Sequence, residues 1–269
     1  MIRKGTPMTD KKHENAAHWD DAAANYERTA HPFTAQFAEE ALARVTLTPE
    51  MRVLDVAAGT GALALAAARS GAQIVATDFS SGMVARIAAA GLANVEAKVM
   101  DGQALDLPDA SFDAVFSVFG VIMFPDWRKG LAEMARVTRP GGPGVLATWQ
   151  SEGAATFLLL SQIRRRLFPK LDGKTRLPEG AVALGDPEWL SAAMVDAGFA
   201  APRIDRVTHD FALDMRQLDT PDELFGMSPD WLALDAGQQA AVVAEVRRMA
   251  GDRAVLPIAS TALIAVARR

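Results

Sequence analysis

The stretch R-V-L-D-V-A-A-G-T-G at 52–61 decides how this chain folds: an apolar run holding one acid, Asp55, breaks into a turn with Gly59 and Gly61, and A-L-A-L-A-A-A-R follows at 62–69. That order reads as strand, turn, helix. The glycines let the backbone bend through positive φ and let a ligand approach without a Cβ in the way, while the helix aims its first free N–H groups at the same point. An acid inside such a strand is uncommon, and it bears on what the turn holds.

The same alternation continues outward. Q-I-V-A-T-D (73–78), V-E-A-K-V-M-D (95–101), F-D-A-V-F-S-V-F (112–119) and P-G-G-P-G-V-L-A-T-W (140–149) read as strands, with helices at 62–69, 81–90 and 130–137 between them. Strands alternating with helices predict a parallel, doubly wound, Rossmann-like α/β sheet. Before the first strand, Trp19, Ala22, Ala23, Tyr26, Phe33, Phe37, Ala41 and Val45 recur at helical spacing, with a break at His31-Pro32. Two helices are expected there, forming a lid over 16–48. After the fifth strand the alternation lapses at 150–185, which reads as an inserted cap with one amphipathic helix and a Gly/Pro-containing loop. A helix capped by Asp186 with Pro187 at its first position, a strand at 203–211, a helix at 235–249 and a last strand at 258–267 complete the chain.

Composition narrows the class. With 269 residues, half of them hydrophobic, the chain can bury one sizeable core, so a single domain over 16–269 is expected. Residues 1–15 read as a disordered or tag-derived tail, with Met8 a plausible native start. The net charge of −5 and a lone short basic run, Arg164–Arg166, read as a solvated helix face, argue against nucleic acid as partner. Cysteine is absent, and His13, His18, His31 and His209 lack metal-ligand spacing, so no metal site is expected. No apolar run reaches the roughly 18 residues of a membrane span, and the start lacks a signal core. A cytoplasmic protein is the reading, with room for a homodimer.

The glycine turn alone does not choose a cofactor. Residues 59–64 fit G-x-G-x-x-A, with Asp78 at the later acidic position, which would suit an NAD(P)-dependent oxidoreductase. Against that stand Asp55, where a pyrophosphate would have to lie close, and the absence of a Y-x-x-x-K proton donor in a chain with one tyrosine. Further polar or aromatic markers follow in order: Asp101-Gly102-Gln103 after the third strand, Phe119 after the fourth, and Arg139-Pro140-Gly141-Gly142 before the fifth.

Taken together these elements resemble the class I S-adenosylmethionine-dependent methyltransferases, most closely the small-molecule branch that includes the ubiquinone/menaquinone C-methyltransferases. The likeness runs over about 19–149. It implies a seven-stranded, mainly parallel sheet with an antiparallel last strand, S-adenosylmethionine as cofactor, and a small, largely apolar acceptor. The methyl would go to carbon or oxygen of a quinone-like, phenolic or polyketide-type molecule, or to nitrogen. By resemblance Asp55, Ala57, Gly59 and Gly61 form the floor under the methionine part, and Asp78 accepts from the ribose hydroxyls. Met83, with Phe79 in the same D-F-S-S-G-M segment, meets adenine, and Asp101 with Gly102 and Gln103 reads the adenine edge. Ser117 and Phe119 face cofactor and acceptor, and Tyr26 closes over the methionine end.

The cofactor's groups support this independently: a cationic sulfonium, an amine, a diol and a carboxylate match acids at successive strand ends beside a helix N-terminus. Trp19, Phe124 and Trp149 are the candidates for the acceptor's side. No catalytic residue is evident; His31 and Tyr26 are candidates, with His209 behind them. Ala57 stands where the family often has glycine, and Pro143 should delay the fifth strand by removing a donor. A non-catalytic S-adenosylmethionine-binding regulator remains the reading outside enzymes.

Overall fold

A computed structural model describes residues 14–151, 156–171, 177–226 and 228–269. Of the expected N-terminal tail, 1–13 lie outside the described residues. Asn15 caps the first helix, its side chain accepting from the Ala17 N–H at 3.0 Å.

Two helices, α1 (Ala16–Thr29) and α2 (His31–Leu42), precede β1 (Arg52–Val56). The break falls at Ala30, one residue earlier than the sequence suggests. Pro32 sits in the first turn of α2, where its missing N–H costs nothing. There follow α3 (Ala62–Ala67), β2 (Gln73–Asp78), α4 (Ser81–Ala89), β3 (Val95–Val99), β4 (Ala114–Val118), α5 (Trp127–Val137) and β5 (Pro143–Trp149). The sheet order is β3-β2-β1-β4-β5-β7-β6, and β1 to β5 pair in parallel. β7 (Val255–Arg268) runs antiparallel to both β5 and β6 (Arg203–Asp214). Strand order reverses between β1 and β4, and the crevice outside such a reversal is where open α/β sheets bind ligands.

The central strands read as continuous apolar runs because both faces are covered: every position of β5 is buried. Edge strand β3 instead has only exposed and half-buried positions. Pro143 does not delay β5. It lies opposite Arg268 on β7, and the pairing with β4 starts only at Val115↔Gly144, so the missing donor falls before that ladder.

The segment expected as a cap is not a layer by itself. Its helix α6 (Thr156–Leu167) buries Leu159, Leu160 and Ile163 against elements inserted between β6 and β7. After α7 (Glu179–Ala183) and α8 (Pro187–Asp196), that insertion carries α9 (Pro221–Phe225), α10 (Pro229–Leu232) and α11 (Ala236–Ala250). Trp231, Phe225, Val242 and Val246 join the α6 leucines in a second core, and Phe211 packs against both cores. The run Arg164–Arg166 is not wholly solvated: Arg164 is buried, with Asp230 at 3.5 Å, while Arg165 and Arg166 are exposed. Among the described residues no helix is long and apolar enough to cross a membrane.

Candidate active site

The turn after β1 works through alternate residues. Ala57, Gly59 and Gly61 have φ of 55°, 56° and 91°, which curl the backbone into a concave bend before α3. Such angles suit glycine, and a side chain there costs about 1–2 kcal/mol, a cost Ala57 carries. Its methyl has room because residue 120 is glycine: a Cβ at Gly120 would stand 2.5 Å from that of Ala57. Phe119, the residue before Gly120, is also left-handed, with φ 61°.

Acids tie this bend to the neighbouring strands. Asp78, at the end of β2, accepts from the Gly59 N–H at 2.9 Å and the Ser80 N–H at 3.0 Å. Asp55 accepts from the Ala64 N–H at 3.1 Å, so it caps α3 from inside the sheet. Burial pushes its carboxyl up from 3.8 to about 8, only partly offset by that N–H, while the nearby Asp78 charge adds to the rise. Asp78 is also raised, chiefly by burial, with the N–H groups of Ser80 and Gly59 opposing. Asp101 is exposed and binds the Gln103 amides at 2.9 and 3.0 Å, while Gln103 accepts from the Asp126 N–H.

These groups surround a cavity of 220 Å³ at the strand ends. Tyr26, Asp55, Ala57, Gly59, Asp78, Phe79, Met83, Asp101, Gly102, Gln103 and Phe119 all line it. Two expected residues do not. Ser117 is buried below the cavity, its hydroxyl donating to the Val56 carbonyl at 2.9 Å and accepting from the Val121 N–H at 3.2 Å. Gly61 faces Ile87 and Leu65 and serves the turn by its conformation. Glu14, Thr34, Met100, Met123 and Pro125 line the cavity unforeseen.

A second, more apolar cavity of 280 Å³ adjoins the first. Trp19, Tyr26, Thr34, Phe119 and Met123 belong to both walls. Trp149 lines the second and stacks on Phe119 at 3.8 Å, 8° from parallel, with Phe33 parallel beyond it at 5.9 Å. Phe124, expected on the acceptor's side, lines only the first cavity. Its ring fills the space over Gly102 and Gly130, which lack the Cβ that would strike it.

His31 lines neither cavity. Its Nδ1 lies 2.7 Å from Thr60 Oγ1, so it braces the glycine turn from α2, and burial lowers its pKa. His209 packs its ring on Phe37 at 4.9 Å, with Glu40 3.6 Å from Nε2. The histidine in a cavity wall is His18, on the lid helix. Nothing in its local sequence distinguishes it. Tyr26 packs edge-on to Trp19 at 6.1 Å, and burial raises its phenol above the ordinary value, opposed by a hydrogen bond with Thr34. Asp20 holds the lid helix down, accepting from Ser80 Oγ at 2.6 Å and the Gly82 N–H at 2.7 Å.

Residues 53–142 match the family model described as a methyltransferase domain. A demethylmenaquinone methyltransferase of Corynebacterium glutamicum (strain R) is 36% identical over 186 residues, covering 66% of this chain and 80% of that protein. The chain belongs to the S-adenosylmethionine-dependent methyltransferases. A second relative of the same name, from Corynebacterium efficiens, is 43% identical over 129 residues, 48% of this chain and 55% of its own length. The methyltransferase fold also matches the crystal structure of the YcgJ protein from Bacillus subtilis: TM-score 0.58, 20% identity, covering 89% of this chain and 99% of that one. Family membership sets aside the oxidoreductase reading of the glycine turn.

Proposed function

We propose that this methyltransferase holds S-adenosylmethionine in the first cavity and methylates a small, flat, largely apolar acceptor in the second. The observation that carries this is charge: the first cavity's described walls hold four acids, Glu14, Asp55, Asp78 and Asp101, and no lysine, arginine or histidine. Such a lining suits a cationic ligand with donor groups and repels a pyrophosphate. S-adenosylmethionine supplies a methyl group on a positively charged sulfur. In this reading Asp78 accepts from a vicinal diol, Asp101 and Gln103 meet an adenine edge, and Asp55 with the Gly59 bend underlies the methionine part; their common place in the cavity wall supports it. Phe79 and Met83 offer apolar surface for the base. The lid residues Trp19 and Tyr26 cover the wall the two cavities share.

Methyl transfer is a single displacement that needs nucleophile, methyl carbon and sulfur in line. Holding reactants so can supply roughly 7–11 kcal/mol without a dedicated acid–base group. The parallel rings of Phe119, Trp149 and Phe33 favour a planar acceptor and a cation beside it. The relatives' name, demethylmenaquinone methyltransferase, supports carbon or oxygen of a quinone-like or phenolic ring as the first choice, with nitrogen behind it. His18 and Tyr26, both on α1, stand in the second cavity's wall beside the acceptor's proposed place.

Calorimetric titration with S-adenosylhomocysteine, followed by incubation with methyl-labelled donor and a panel of naphthoquinols, phenols and amines, tests both halves. Binding with label transferred to a quinol or phenol supports the reading. Binding with no transfer to any member would favour a regulator, and micromolar NAD affinity without S-adenosylhomocysteine binding would sink the cofactor assignment.

A further inference from the structure

The lid helix α1 stands in the walls of both cavities: Trp19 and Tyr26 line the two, and His18 and Thr29 line the second. On the first cavity's side one acid holds it. Asp20 accepts from Ser80 Oγ at 2.6 Å and from the Gly82 N–H at 2.7 Å, at the start of α4. Ser80 in turn accepts from the Met83 N–H and donates its own N–H to Asp78, so the acid is joined to two residues of the first cavity. The backbones meet here: a Cβ on Gly82 would stand 2.8 Å from Asp20 Cα. Gly82 lies inside α4, its φ is not left-handed, and alanine favours a helix over glycine. Contact with α1 is therefore what calls for glycine. On the other side the Asn25 amide donates to the Glu223 carbonyl of α9 at 2.8 Å, next to Leu224 and Phe225 of the second cavity's wall.

We propose that α1 is one gate over both cavities and that Asp20 is the positioning residue that latches it, so that an occupant of the second cavity slows release of the ligand in the first. This rests on the reading of the first cavity as the cofactor's place and of the second as the acceptor's. Moving α1 off the first cavity breaks the Asp20 contacts. Because a helix moves as a rigid rod, the same motion withdraws Trp19 and Tyr26 from the second cavity. A flat ligand packed on those two rings binds the closed arrangement better than the open one, and it shifts the equilibrium by that difference. Linkage makes the coupling reciprocal, so S-adenosylhomocysteine in the first cavity strengthens binding in the second.

The test follows release of labelled S-adenosylhomocysteine, chased with excess unlabelled compound, from the full chain with and without saturating 2-naphthol, whose binding is read by ligand-observed NMR. In the wild type 2-naphthol should slow release about fivefold or more, the lower end of typical coupling between two sites. Asp20→Ala removes two hydrogen bonds to a charged group and should speed release without 2-naphthol about tenfold or more. Its response to 2-naphthol should shrink to less than about twofold, below typical coupling. Gly82→Ala, which prises α1 from α4 while favouring α4 itself, should act alike, and it decides the matter if Asp20→Ala does not fold. A contact that serves stability alone would leave the response intact, and a full response retained in a folded variant overturns the inference. So does a wild-type release rate indifferent to bound 2-naphthol. Failure of 2-naphthol to bind the wild type with S-adenosylhomocysteine bound removes the acceptor reading of the second cavity, and this inference with it. Failure of S-adenosylhomocysteine itself to bind removes the cofactor reading and the inference together.

Discussion

The first cavity is held mainly by backbone. Its floor is a ten-residue stretch bent at Ala57, Gly59 and Gly61, and two acids accept main-chain N–H groups of that same bend and the helix after it. The second cavity is held by side chains from α1, α2, β5, α6, β6 and the α9–α10 insertion, elements far apart in the chain. Carboxylates from β1 and the adjacent β2 that hold the main chain of one strand–turn–helix unit leave little freedom in its shape. Walls contributed by several insertions can be exchanged one at a time, so a fixed first cavity and a more variable second one follow from one architecture.

The largest expected effect falls on the first cavity. Asp78→Ala removes a carboxylate proposed to accept two ligand hydrogen bonds and should weaken S-adenosylhomocysteine binding about 100-fold or more by calorimetry. An affinity within threefold of wild type would break the proposed ribose contact. Next comes the fit between β1 and β4. Gly120→Ala puts a methyl 2.5 Å from the Ala57 Cβ and 2.9 Å from Ser117 Oγ. Denaturant unfolding should show a loss of about 2 kcal/mol, typical of overpacking, and Ala57→Gly in the same chain should restore part of it. Equal losses with and without Ala57→Gly would mean the two residues are not coupled.

Trp149→Leu sharpens the contrast between the cavities. Acceptor KM should rise about tenfold as the ring that stacks on Phe119 is lost, while S-adenosylhomocysteine affinity changes little. Parallel losses in both would show that the cavities act as one.

The smallest effect is a proton. Asp55, raised to about 8, keeps its proton at neutral pH in the ligand-free chain. A cationic ligand favours the carboxylate, so S-adenosylmethionine binding at pH 7 should release up to about one proton, read from calorimetry in buffers of different ionisation heat. Asp55→Asn should abolish that release. Stability follows the same sign. The folded chain binds a proton that the unfolded chain gives up near pH 4, so this group's contribution declines as pH rises from about 4 to about 8 and is level above. Urea midpoints of Asp55→Asn should lack that decline.

How far sequence reading reached depends on how local each feature is. Asp55, Gly59 and Asp78 line the first cavity as expected, because strand ends and a glycine turn have local signatures. Ser117 differs from expectation: Phe119, two residues on, lines the cavity, whereas the serine hydroxyl bonds Val56 and Val121. His31 invited a catalytic reading as a lone polar group, yet packing of α2 against the turn aims it at Thr60. His18 and Asp230 carry no local signal: each reaches the second cavity only through the docking of its helix. Arg164 reads as part of a basic surface run, and only the packing of α6 on α10 buries it.

By itself the sequence determined the alternating, doubly wound parallel sheet and the acids at the strand ends, since these follow from alternation, turn chemistry and spacing within short windows. Tertiary structure alone decided the second cavity. Its walls come from the lid, the helix after β5 and the insertion between β6 and β7, and the contacts among them depend on side chains meeting across a second core that no local pattern encodes.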